Sequence, residues 1–146
     1  MTEQGRAKRE MEEIAVLQVW NCGAYDKDNG TGIKDFKRHL SLLPDATTAI
    51  RSVIKEGWTY EAIKGAIVNY LYILAYDNKF FFNWKWTLAE FLTRGKKDDK
   101  GKRWLWFYSE YFDEKRWYIG QEKQVSKKSI DQLSFERIER DRAFNG

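Results

Sequence analysis

The side chains that most often carry covalent chemistry are scarce in this chain. There is one histidine, His39, and one cysteine, Cys22. A thiol nucleophile needs a base beside it, so such a mechanism would have to pair these two residues. Nothing near either in the sequence supports that pairing, and His39 reads as a structural or surface residue. Zinc normally takes three or four Cys, His or acidic ligands, and one Cys with one His falls short of the usual set. The segment Asp26-Lys27-Asp28-Asn29-Gly30-Thr31-Gly32 invites a calcium or phosphate reading. A calcium loop needs an acid at its twelfth position, which counting from Asp26 is Lys37. A phosphate loop needs Gly-Lys-Ser/Thr after its glycines, and that is absent. A flexible loop is expected instead. Glu110, Asp113 and Glu114 share an expected helical segment. Paired carboxylates can do acid–base work, but charges on a helix face are normally solvated. With no nucleophile–base pair and no metal set, the chain reads as a binding protein, not an enzyme, with no cofactor.

The basic segment is more informative. Arg94, Lys96, Lys97, Lys100, Lys102 and Arg103 fall within ten residues, opposed by Asp98 and Asp99. Six bases minus two acids leave four, the net charge of the whole chain. Aromatic clusters flank the segment, with Lys85 in the first and Trp104 and Trp106 opening the second. Cations that track phosphates beside rings that stack on bases are the working parts of a sequence-tolerant single-strand binder. The alternative is a solvated loop between two helices whose rings are all buried. Trp104 and Trp106 alternate, so on a helix they cannot share one face. At least one exposed ring is therefore expected. The candidate nucleic-acid contacts are Lys85, Arg94, Lys96, Lys97, Lys102, Arg103, Trp104 and Trp106.

Composition sets the frame for these residues. A chain of 146 residues fits one domain that buries about two-thirds of its unfolded surface. The apolar fraction is 42%, ordinary for a packed core, while the aromatic fraction of 16% is high. Seven Trp, eight Tyr and nine Phe can bury large areas at low conformational cost. A pI near 9.1 admits an anionic partner without demanding one. The lone cysteine rules out an intramolecular disulfide and suits a reducing compartment. No apolar run is long enough to span a membrane, and the first residues lack the apolar core of a signal peptide. The expected location is the cytoplasm.

The elements that must position these residues are helical. A single proline and many long charged side chains favour helix over strand. Residues 8–20 read as a first helix, with Met11, Ile14, Leu17, Val16 and Trp20 on its apolar side. Asn21-Cys22-Gly23 stops it, and residues 23–35 form a polar loop. Pro44-Asp45 opens a second helix with Ala46, Ala49, Ile50, Val53 and Ile54 at helical spacing, closed by Gly57. Thr59 caps a third, whose apolar face is Ile63, Ile67, Tyr70, Leu71 and Leu74. Phe80 to Trp86 could be a strand by pattern, but a strand needs a partner. It reads as an extended aromatic plug across the core. Thr87 and Glu90 then form a T-x-x-E capping box for a short helix closed by Gly95. Trp104, Phe107, Tyr108, Tyr111 and Phe112 give a further helical face. Residues 119–128 read as a linker, and 129–142 as a last weak helix.

One succession of these motifs resembles a known family. It runs Ala49-Ile50-Arg51-Ser52-Val53-Ile54-Lys55-Glu56-Gly57-Trp58-Thr59-Tyr60-Glu61-Ala62-Ile63-Lys64, then Ala66-Ile67-Val68-Asn69-Tyr70, then Ile73-Leu74 and Phe80-Phe81-Phe82. It ends on Trp86-Thr87-Leu88-Ala89-Glu90-Phe91-Leu92-Thr93-Arg94-Gly95. In order and spacing it resembles the C-terminal module of phage and prophage replication proteins, the replisome-organiser group related to DnaD. Leu17-Gln18-Val19-Trp20-Asn21 is similar to that module's opening helix. The likeness covers about residues 14–95. It implies a helical module that binds DNA and helps to assemble helicase-loading machinery. Most members carry a winged-helix domain ahead of the module, and none is read here. The aromatic stretch 104–118 stands where relatives usually run into a shorter segment.

The sequence therefore predicts an all-α fold: a compact bundle of five or six helices with an extended aromatic segment crossing the core. Residues 1–118 form the module with its aromatic extension, and 119–146 a charged linker with a weak helix. The expected function is that of a phage DNA-replication accessory protein in an infected or lysogenic bacterial host. Its expected partners are single-stranded or duplex DNA, bound with low sequence preference, and replication proteins such as a helicase loader. Self-association is compatible with this, and no membrane is involved. The other expectation is a free-standing protein-binding module that inhibits a host enzyme or defence system.

Overall fold

The computed structural model describes residues 2–95 and 102–121. Among them are four α-helices: α1 (Glu3–Asn21), α2 (Pro44–Lys55), α3 (Tyr60–Ala75) and α4 (Leu88–Thr93). Two 3-10 turns follow, at Arg103–Trp106 and Glu114–Trp117. No strand forms among the described residues, only isolated bridges. The all-α class therefore holds. No helix of the described residues is long and apolar enough to cross a membrane.

α1 starts earlier than the apolar spacing indicates. Thr2 accepts from the Gly5 amide at 3.0 Å, and Glu3 sits in the first turn. A side-chain cap and an acid near the positive helix end can start a helix with no core contact at all. The buried face also differs from expectation. Met11 and Ile14 are exposed, at 71% and 49%. The buried residues are Glu13, Val16, Leu17 and Trp20, at i, i+3, i+4 and i+7. Glu13 is a carboxylate in the core face. It is tolerated because Arg51 of α2 donates to both its oxygens, at 2.8 and 3.1 Å, and a buried charge needs such a partner.

The end of α1 fixes the next loop. Trp20 Nε1 donates to the Lys37 carbonyl at 2.9 Å. Asn21 pairs with the His39 backbone twice, donating to its carbonyl at 2.7 Å and accepting from its amide at 3.0 Å. Gly23 lets α3 approach closely, since a Cβ there would lie 2.5 Å from Leu71 Cδ2 and push that side chain aside.

α2 and α3 follow their local signals. Pro44 occupies the first turn of α2, and Gly57 takes φ +106° beyond its end, which a glycine adopts without strain. The Thr59 hydroxyl caps α3 at the Ala62 amide, 3.1 Å. The buried face of α3 is Ile63, Ala66, Ile67, Tyr70, Ile73 and Leu74. Leu71, expected in that face, is half-buried, because it lies at the edge where the chain leaves α1 at Gly23. Ile67→Ala is expected to cost about 2–5 kcal/mol and Leu71→Ala measurably less. Denaturant midpoints of the two variants check this ordering.

The segment from Phe80 to Trp86 has no regular structure, and it crosses the core as expected. Phe80, Phe82 and Trp86 are buried. It does find a partner, although only one bridge wide. Phe80 pairs antiparallel with Tyr118. The Phe81 amide donates to Trp117 O at 3.0 Å, and the Ile119 amide to Lys79 O at 3.3 Å.

At the start of α4 the capping box is complete. The Glu90 amide donates to Thr87 Oγ1 at 3.1 Å, and the Thr87 amide to Glu90 Oε1 at 3.0 Å. Thr87→Ala is expected to cost on the order of 1 kcal/mol, read as a lowered thermal midpoint.

The expected helix over Trp104–Phe112 is replaced by the first 3-10 turn and further turns. An α-helix offers one buried stripe, but here rings must point several ways. Trp104 meets Trp58 edge-on at 5.1 Å, Trp106 meets Trp117 at 5.6 Å, and Phe107 stacks on Trp117 at 5.4 Å. Asn69 Nδ2 fastens this segment to α3 by donating to Phe107 O at 2.8 Å. All these rings join one core with α3 and α4. The linker beyond residue 121 and the expected helix at 129–142 lie outside the described residues.

Candidate functional site

The basic segment is closed at its root by the backbone. The Arg103 amide donates to the Arg94 carbonyl at 3.0 Å, so the end of α4 and the start of the first 3-10 turn lie side by side. Each arginine rests on a tryptophan. The Arg94 guanidinium lies 5.5 Å from the Trp86 ring centroid, and that of Arg103 lies 4.6 Å from the Trp106 ring. Both are within the range of a cation–π contact.

A third cation arrives from the loop that Trp20 and Asn21 hold. Lys37 Nζ is 3.9 Å from Glu90 Oε1, and Arg94 Nη1 is 3.8 Å from Glu90 Oε2. Glu90 thus stands between Lys37 and Arg94. Its pKa is lowered below the ordinary carboxylate value, first by the hydrogen bond from the Thr87 amide and further by the Thr87 side chain and the two cations. Lys37 was missed in the sequence, where it stands far from the basic segment. The readable sign was the Trp20-Asn21 pair at the end of α1, whose polar atoms had to find partners.

The other expected residues are distributed as follows. Lys102 pairs with Glu56 just past the end of α2, so its charge is already answered. Lys85 is half-buried between Trp84 and Trp86 in the chain. Lys96, Lys97 and Lys100 lie outside the described residues. Trp104 and Trp106 are both buried, at 0% and 8% exposure, contrary to the expectation that one would be exposed. That expectation assumed one helix face toward the core, whereas the 3-10 turn has core on several sides. Their ring N–H groups have no hydrogen-bond partner among the described residues. The tryptophan that faces solvent is Trp84, at 53%.

The residues considered for chemistry are engaged in structure. His39 Nε2 accepts from the Leu88 amide at 3.2 Å, and its ring stacks on Trp20 at 6.2 Å. The Cys22 thiol donates to the Gln18 carbonyl at 3.3 Å. Asp26 folds its own loop, accepting from the Asp28 amide at 2.9 Å and from Asn29 at 2.7 Å. Glu114 accepts from Tyr72 at 3.0 Å and Lys79 at 3.3 Å. Among the described residues no group of three or more His, Cys, Asp or Glu side chains could hold a metal ion.

Comparison with family models, with curated proteins and with solved structures finds no match to this chain.

Proposed function

We propose that this chain is a phage or prophage DNA-replication accessory protein that binds DNA through the face formed by Lys37, Lys85, Arg94 and Arg103. The observation that carries the reading is the pair of arginines joined by a backbone hydrogen bond, each lying on a tryptophan. Guanidinium groups held by rings are placed in advance and lose little freedom when a phosphate arrives. Lys37 and Arg94 share Glu90 at 3.9 and 3.8 Å, too long for tight pairs, so both can turn toward an outside anion. The succession of motifs from Leu17 to Gly95 adds support through its resemblance to replisome-organiser modules. On that resemblance a helicase loader is the protein partner to look for.

A second reading, an inhibitor of a host enzyme or defence system, draws on exposed apolar side chains. Leu40 is 91% and Met11 71% exposed, unusual for residues of that size. Binding to labelled single-stranded and duplex DNA across a salt series separates the two. Phosphate contacts give a log affinity that falls linearly with log salt, by about 0.9 per contact on duplex and 0.7 on single strands. Absence of binding at low salt would remove the DNA reading and leave the protein partner.

A further inference from the structure

We propose that Trp84 is the base-stacking residue of the cationic face, and that the ligand of this face is single-stranded nucleic acid. The inference rests on the DNA-binding reading above and narrows it.

Trp84 is 53% exposed, in a chain where Trp20, Trp86, Trp104, Trp106 and Trp117 are all buried. Its exposure does not come from a loose backbone. The Tyr70 hydroxyl, fully inside the core, donates to the Trp84 carbonyl at 2.7 Å and accepts from the Trp86 amide at 2.8 Å. The peptide groups on both sides of Lys85 are therefore pinned to one buried atom. The Trp84 ring also leans on Phe82, with centroids 4.9 Å apart. A large ring on an anchored backbone, with one side on the core and the other in water, is a preformed stacking platform.

Its position relative to the cations follows from the chain. Two residues span at most about 7 Å, and two residues after Trp84 comes Trp86, whose ring lies under Arg94. Lys85 stands between them. The anchored Trp84 backbone therefore lies within about 7 Å of that of Trp86, on whose ring Arg94 rests, a setting in which a base can stack while its phosphates meet Lys85 and Arg94. In a duplex the base faces are already stacked on one another, so an exposed indole has nothing to receive. In a single strand every base offers a face whatever the sequence. The cations alone would serve either form, and Trp84 decides between them.

The test uses the full chain, an oligothymidylate of about sixteen nucleotides, near the upper end of a usual site, and a duplex of the same length. The wild type should bind the single strand more tightly than the duplex. Trp84→Ala should weaken single-strand binding about 5- to 150-fold, the equivalent of one lost stacking contact. Duplex binding should stay unchanged. Trp84→Phe keeps an aromatic ring, so it should recover most of the loss, and a helical signal equal to wild type in both variants shows that the fold is intact. Equal binding of both forms, with Trp84→Ala unchanged on the single strand, would overturn this inference and leave the cationic face standing. A loss of equal size on both forms would also overturn it, since stacking cannot act on the duplex. A wild type that binds neither form would end both readings.

Discussion

Replacing Tyr70 by alanine is expected to remove a large share of the stability of this protein. The Tyr70 ring is fully buried. It stacks on Trp20 and Trp86 at 5.6 and 5.8 Å, and contacts Phe91 and Phe107 at 4.7 and 5.3 Å. Deleting a large buried ring costs about 3–5 kcal/mol, against a total stability that is typically about 5–15 kcal/mol. The hydroxyl adds a second effect. It satisfies the Trp84 carbonyl and the Trp86 amide, and burial pushes its pKa well above the ordinary tyrosine value. Tyr70→Phe keeps the ring but strands those two backbone groups, at about 1–3 kcal/mol. Urea unfolding followed by tryptophan fluorescence should order the proteins as wild type, Tyr70→Phe, Tyr70→Ala. Equal midpoints for wild type and Tyr70→Phe would show that the two backbone groups find other partners.

The second large effect concerns binding. Changing Arg94 and Arg103 together to alanine should lower the salt slope on single strands by about 1.4, two contacts at about 0.7 each. Changing both to glutamate should go further, with affinity at low salt falling on the order of tenfold or more. Arg94 is exposed and Arg103 half-buried, so the helical signal and thermal midpoint of each variant are measured beside its affinity. An unchanged slope with an intact fold would place the DNA contacts elsewhere, the first candidates being Lys96 and Lys97.

Much of the fold was legible because its signals are local. Pro44, Gly57, Thr59 and the Thr87–Glu90 pair each act within one helical turn, and each marks a boundary within a residue or two of where it was expected. Glu13 was not legible, because its partner Arg51 is 38 residues away and no local pattern announces a buried carboxylate. The stretch after Lys102 failed for a related reason. Its rings repeat at helical spacing, but their directions are set by Trp58, Phe82 and Trp117, which come from three other segments. The same remoteness hid the site. The cations next to one another in sequence drew attention, while Lys37, which shares Glu90 with Arg94, and Trp84, two residues before the ring under Arg94, did not. Trp84 was passed over because the run of seven aromatic and polar residues from Phe80 to Trp86 reads as uniform core, and only the Tyr70 hydroxyl shows which way the chain turns.

The hydrogen bond from Asn69 to the Phe107 carbonyl has a consequence during synthesis. At about 5–20 residues per second, the 38 residues separating Asn69 from Phe107 take the ribosome roughly 2–8 s to add. Until Phe107 and Trp117 are added, Tyr70 of α3, Phe82 of the crossing segment and Phe91 of α4 lack rings they contact in the finished molecule. The stretch resembling a replication module, residues 14–95, is therefore an incomplete folding unit. A fragment ending at Gly95 would leave those apolar surfaces uncovered, and the aromatic extension is the part of the chain that covers them.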